Sequence, residues 1–187
     1  MAIHGGQGRQ HGSLESKAAI ADRLLATMDL GPADVVFDIG SGDGYYSSRF
    51  ADRCGAVVSV EAYAEALEGA YYRGANIEKR GVDVCAHLAE LEWKRAAHVF
   101  FSNSFHDMEC QDEILATLSR ELRDGASLDL IEFHPDTPFG PPRHIRYSKE
   151  ALKTKVEPYG FREKASFDLG THYFVSFERV RGAKSQY

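Results

Sequence analysis

The chain has 187 residues, 43% of them hydrophobic, and a formal net charge of −6. That is enough apolar material for one domain with one sizeable core, and the acidic balance argues against a general nucleic-acid binder, which would usually present a basic surface. There is no run of about 18 apolar residues, so no membrane-spanning helix is expected.

Residues 1–12 hold four glycines and two histidines and read as a flexible arm; the polar start is no signal peptide. A single domain is expected over 13–180, followed by a flexible tail over 181–187. From Ser13 the pattern is helical, with Leu14, Ile20, Leu24, Leu25 and Met28 on one side, until "LGPAD" ends it. "VVFDI" (35–39) is a short apolar run, as a parallel strand buried on both faces requires, and a helix over about 45–54 follows. "AVVSVE" (56–61) reads as a second strand, "AYAEALEGAYYRGANIEKRG" as a second helix, and "VDVCAH" (82–87) as a third strand.

"AHVFFSN" (97–103) is the fourth strand, and Ile114, Leu115, Leu118 and Leu122 mark a helix that stops at Gly125. "ASLDLIEF" (126–133) is the fifth strand. A proline-rich loop and a helix from about Ser148 to Tyr159 lead to two strands joined at Gly170, too close together for a parallel crossover and therefore antiparallel. The alternation predicts an α/β fold with a doubly wound, Rossmann-like, mostly parallel sheet. Cys54, Cys85 and Cys110 are odd in number and lack CxxC spacing, so reduced thiols in a cytoplasmic protein are expected rather than a disulfide frame. No His pair has zinc-site spacing, so no metal is expected.

The loop after the first strand reads "DIGSGDGYY", with Gly40, Gly42 and Gly44 at every second position. In an open parallel sheet ligands bind beyond the carboxyl ends of the strands, where such a loop sits. A dinucleotide fingerprint would want a small residue at position 45, which is Tyr45, and a P-loop would want a Gly-Lys-Ser/Thr end, which is absent. The pattern acidic-x-Gly-x-Gly-x-Gly, on Asp38 and the three glycines, resembles motif I of the class I S-adenosylmethionine-dependent methyltransferases. A second acid ends the next strand, Glu61, 17 residues after Gly44. "RAAHVFFSNSFHDM" and "LSRELRDGASLDLIEF" are similar to the family's fourth-strand and fifth-strand segments, and within the family the chain looks closest to the small "type 11", ubiquinone-biosynthesis-like members.

The resemblance implies a seven-stranded sheet of order 3-2-1-4-5-7-6 with the last strand antiparallel, and helices on both faces. It also implies S-adenosyl-L-methionine as cofactor, S-adenosyl-L-homocysteine as product, and a cofactor site drawn from Asp38, Gly40, Ser41, Gly42, Gly44, Tyr45, Glu61, Ala62, Leu88, Asn103 and Ser104. The Glu61 carboxylate is suited to the two ribose hydroxyls. The acid that many members carry after the third strand, to hold the adenine amino group, is missing where "CAHLAELEW" places Leu88 and Ala89.

Methyl transfer is mainly a matter of positioning, and a base is needed only where the acceptor must lose a proton. His106 is the candidate base, since imidazole titrates near neutrality, and Asp107 beside it either assists or caps the following helix. Phe105, Glu132, His134, Arg143 and Arg146 are candidate acceptor contacts, the arginines for a carboxylate or phosphate. The expected partner is a small-molecule methyl acceptor, taken up by a monomer or homodimer, with neither nucleic acid nor membrane involved. A cofactor-binding module without catalysis and a macromolecule methyltransferase are the alternatives; the Asn/Asp-Pro-Pro-Tyr/Phe signature of amino-group DNA methylation is absent.

Overall fold

The computed structural model describes residues 16–180. The arm expected over 1–12, the first residues of the opening helix and the tail over 181–187 lie outside the described residues. Helix α1 spans Lys17–Met28, and the Ser16 hydroxyl caps it by accepting the Ala19 N–H at 3.2 Å. Strand β1 (Val35–Ile39), helix α2 (Tyr45–Ala51), β2 (Ala56–Val60) and β3 (Ile77–Arg80) follow. Then come β4 (His98–Ser102), α3 (Gln111–Glu121), β5 (Ser127–Phe133) and α4 (Lys149–Val156). A hairpin of β6 (Phe161–Asp168) and β7 (His172–Arg179) ends the fold.

The sheet order is β3-β2-β1-β4-β5-β7-β6. Only β7 runs against its neighbours, pairing antiparallel with both β5 and β6. Order, strand direction and fold class are those expected. Because side chains alternate along a strand, the sheet splits its apolar residues between two layers. Phe37, Ile39, Val99 and Phe101 pack with Ile114 and Leu118 of α3 and Leu152 of α4. Val36, Val57, Phe100 and Phe174 pack with Leu24 and Met28 of α1 and Phe50 of α2. Helices therefore cover both faces, and each buried apolar side chain contributes on the order of 1.5–3 kcal/mol of transfer free energy.

Three expectations fail. The second helix shrinks to one short 3-10 segment over Ala64–Glu68. Gly69 packs so closely that an added Cβ would lie 2.6 Å from the Asp43 carbonyl, and Asn76 turns its amide to the Ala51 and Cys54 carbonyls below α2. The third strand is Ile77–Arg80, with Ile77 opposite Val57, and not "VDVCAH". Finally, the cysteines are not all reduced: Cys85 and Cys110 form a disulfide with Cα atoms 5.6 Å apart, while Cys54 is free and buried. Chain spacing hid that pairing, because it joins loops that follow two different strands. Among the described residues no helix is long and apolar enough to cross a membrane.

Candidate functional site

All parallel strands end at one edge of the sheet, and the loops there surround two cavities of about 370 and 630 Å³. The smaller is lined by Asp38, Ser41, Gly42, Tyr45, Tyr46 and His172, among others, and the larger by Glu61, Ala62, Asp83, Cys85, Ser104 and Met108, among others. Gly40, Ser102 and Asn103 line both, so the ends of β1 and β4 form the sill between them.

Gly40, Gly42 and Gly44 all have left-handed backbone, with φ of 70°, 54° and 81°. Their surroundings differ. A Cβ on Gly40 would lie 2.5 Å from the Ser104 Cβ, and one on Gly44 would lie 2.6 Å from the Tyr72 ring. A Cβ on Gly42 would meet no atom within 4 Å. Two glycines are therefore bare because the protein packs against them; Gly42 alone is bare toward open cavity. Tyr72 fixes this loop: its hydroxyl is 2.7 Å from the Ser41 hydroxyl and donates to the Gly42 carbonyl at 3.0 Å. The helix expected over this stretch concealed the contact of Tyr72 with the glycine loop.

The two acids are held in different ways. Glu61, at the end of β2, accepts the Gly42 N–H at 2.9 Å and the Tyr63 N–H at 3.0 Å. Asp38, at 1% exposure, accepts the Ser47 hydroxyl at 2.6 Å, and Ser59 donates to Ser47 at 2.7 Å. Burial raises the Asp38 carboxyl most, the Glu61 and Asp43 charges add to this, and the Ser47 hydrogen bonds oppose it, leaving its pKa at about 7.

Asn103 ends β4 with left-handed backbone (φ 55°), and its buried Oδ1 has no hydrogen-bond partner in the structure. A strained residue and an orphaned acceptor on the sill between two cavities suit a site made to be completed by a ligand. Ser104 donates to the Ile39 carbonyl at 2.7 Å and lines the larger cavity.

The correction to β3 also alters the far wall. With the strand ending at Arg80, the acid that follows it is Asp83, on the lining of the larger cavity. Its Oδ1 accepts the Cys85 N–H at 2.8 Å. Leu88 lies elsewhere: it packs against the core, and its carbonyl accepts the Trp93 indole N–H at 2.8 Å.

The residues expected to meet the acceptor are mostly occupied within the protein. His106 Nδ1 is 2.6 Å from Glu132 Oε2, the His106 N–H donates to Oε1 at 3.2 Å, and both side chains are buried. Burial works to lower the His106 pKa, but the Glu132 hydrogen bond and charge outweigh it, and the net direction is up. Neither cavity lining includes His106. Asp107 lies 3.5 Å from His106 Nε2 and lines the larger cavity, while Cys110 takes the cap position of α3.

Phe105 is fully buried against Phe101. Arg146 donates to the Pro135, Thr137 and Pro141 carbonyls, which knits the proline-rich loop together, and Arg143 is exposed on a short turn. His134 pairs with Asp168 at 2.8 Å in a third cavity. The histidine that does line the smaller cavity is His172, whose pKa is lowered by burial and then by His134 and His106. Among the described residues no group of His, Cys, Asp or Glu is arranged to hold a metal ion.

Residues 37–128 match the family described as the methyltransferase domain. Among solved structures, a protein described as a type 11 methyltransferase from Sulfolobus solfataricus superposes with a TM-score of 0.74 at 21% identity, covering 91% of this chain and 95% of that one. Among curated proteins, ribosomal RNA small subunit methyltransferase A of Pelotomaculum thermopropionicum is 45% identical over 58 residues, 27% of this chain and 20% of that protein. Protein-L-isoaspartate O-methyltransferase of Aeropyrum pernix is 35% identical over 74 residues, 38% of this chain and 27% of that protein. The chain thus spans about a fifth to a quarter of the length of these curated relatives.

Proposed function

We propose, from the match of residues 37–128 to the methyltransferase-domain family, that this chain is a class I methyltransferase that transfers a methyl group from S-adenosyl-L-methionine to a small-molecule acceptor. The observation that carries the proposal is Gly42: left-handed, fastened by Glu61, and open to the cavity where a side chain would stand. When bound, the donor supplies an electrophilic methyl on a sulfonium. The residues present suit it. Glu61 and Asp83 offer carboxylate oxygens in the larger cavity, for ribose hydroxyls and an adenine amino group, and Ala62, Val84 and Met108 give apolar contact. Asp38, Ser41, Gly42 and Tyr45 line the smaller cavity, where the amino-acid end would lie, reached over Gly40 and Asn103.

The acceptor would approach along the rest of the smaller cavity, past Ile20, Tyr46, Ile131, Leu169 and His172. That cavity's volume of about 370 Å³ is shared with the donor's amino-acid end, and the space left suits a small metabolite; the net charge of −6 disfavours a nucleic-acid acceptor. Two of the curated relatives are named for ribosomal RNA and protein substrates, so macromolecules belong in the test. Calorimetric titration with S-adenosylmethionine and S-adenosylhomocysteine comes first, then transfer of labelled methyl across a panel of small acids, phenols and amines with RNA and peptide arms. Failure to bind either donor form sinks the proposal. Binding with transfer only to RNA or peptide replaces the acceptor class, and binding with transfer to nothing favours a non-catalytic module.

A further inference from the structure

The Cys85–Cys110 disulfide stands in the wall of the larger cavity. From one side that cavity is lined by Val82, Asp83, Val84 and Cys85, which follow β3; from the other by Ser104, Asp107, Met108 and Glu109, which follow β4 and lead directly into Cys110. The bond joins the two walls across a sequence separation of 25 residues. The β3 side has local hydrogen bonds, Cys85 N–H to Asp83 Oδ1 and His87 N–H to the Asp83 carbonyl, and one fully packed apolar anchor, Val84. These bonds shape the turn but do not tie it to the β4 side. The disulfide does.

Both paired cysteines are partly exposed, in contrast to Cys54, which is buried. Thiol–disulfide exchange needs access to a sulfur, and Cys85 lines the larger cavity. We propose that Cys85 and Cys110 form a redox-cleavable brace of the nucleoside cavity, so that the affinity for the adenosyl donor follows the thiol–disulfide state. The inference rests on the donor reading above. In the exchange, a thiolate of a dithiol reductant attacks one sulfur, giving a mixed disulfide and releasing the other cysteine as a thiolate that takes up a proton. The reductant's second thiol then displaces the remaining cysteine, leaving two protein thiols and one oxidised dithiol.

Reduction would leave Asp83 and Cys85 on a turn held by the packing of Val82, Val84 and Leu88 and by local hydrogen bonds, with no covalent tie to the β4 side, and the cavity wall would have to be ordered again at the expense of binding. Oxidation would preorganise it. The coupling is reciprocal: bound nucleoside must protect the disulfide from reductant to the same degree that the disulfide strengthens binding.

The test uses the full chain, oxidised or treated with dithiothreitol, with thiols counted by alkylation and mass spectrometry. Two readouts are taken: the Kd for S-adenosylhomocysteine by calorimetry, and hydrogen exchange of residues 82–88 and 103–110 without ligand. Reduction is expected to weaken the Kd on the order of tenfold and to raise exchange in both segments. Cys110→Ser should show the weaker Kd in either buffer. Equal Kd and equal exchange in the two verified redox states would overturn the brace. Should S-adenosylhomocysteine bind in neither state, the donor reading falls and the proposed coupling with it, while a change in exchange would still report the mechanical tie.

Discussion

Glu61 holds Gly42. Its Oε2 accepts the Gly42 N–H at 2.9 Å while Oε1 accepts the Tyr63 N–H at 3.0 Å, so the end of β2 fixes the glycine loop of β1 before any ligand arrives. An ionised carboxylate has about four acceptor positions, and these two bonds leave room for donors from the larger cavity.

Glu61→Ala therefore removes both a loop fastening and a ligand contact. It is expected to weaken donor binding by about 1–3 kcal/mol and to cost a comparable amount of stability, because Gly42 N–H and Tyr63 N–H lose their acceptor. Glu61→Gln, which keeps an acceptor oxygen, should lie between the two. Calorimetry and thermal melts check both quantities, and an unchanged Kd in Glu61→Ala would confine the residue to the loop.

The three glycines should separate in the same assays. Gly42→Ala places its methyl in open cavity, so the protein should fold, with a penalty of roughly 1–2 kcal/mol for a left-handed alanine, yet lose most donor affinity. Gly40→Ala and Gly44→Ala must push the Ser104 Cβ and the Tyr72 ring from contacts of 2.5 and 2.6 Å, so their melting temperatures should drop further. Equal melting temperatures across the three would contradict this division.

The same loop shows how much could be read from the chain. Motif I and Glu61 follow from local patterns, since a buried parallel strand must be apolar and its loop must be free to turn, and the sheet order follows from the family resemblance that motif I carries. The third strand did not follow, because β3 is an edge strand reading "IEKR", half solvated, while the more apolar "VDVC" beside it is a turn that buries Val84. That shift hid Asp83. Tyr72 on the Ser41 hydroxyl, Cys85 on Cys110 and His106 on Glu132 join residues 25 to 31 positions apart, and no local period encodes such contacts.

The His106–Glu132 pair is a structural element by its burial and a source of pH dependence by its charge. Glu132→Ala leaves a buried imidazole without its acceptor and is expected to destabilise by about 3–5 kcal/mol, whereas Glu132→Gln should cost less. Since the folded pKa of His106 is raised, its contribution is full below the unfolded value of 6.5 and is lost as pH rises through the folded pKa. Denaturant unfolding between pH 6 and 9 should show a decline in the wild type that His106→Gln lacks. A parallel decline in both would remove His106 as its cause.

Asp38 gives the opposite of ordinary carboxylate behaviour. Its folded pKa of about 7 lies above the ordinary aspartate value of 3.8, so the folded state holds a proton that the unfolded state has released. Stability from this group is complete below pH 3.8 and falls as pH rises to about 7, by roughly 4 kcal/mol at 1.36 kcal/mol per unit. Asp38→Asn should abolish that slope and be more stable than the wild type above pH 7, with its amide still accepting the Ser47 hydroxyl. A cationic donor favours the ionised carboxylate, so binding near pH 6 should expel a proton. The calorimetric enthalpy for S-adenosylmethionine should then depend on the ionisation enthalpy of the buffer, and that dependence should vanish in Asp38→Asn. A buffer-independent wild-type enthalpy at pH 6 would mean that Asp38 stays protonated beside the ligand and does not serve as its counter-charge.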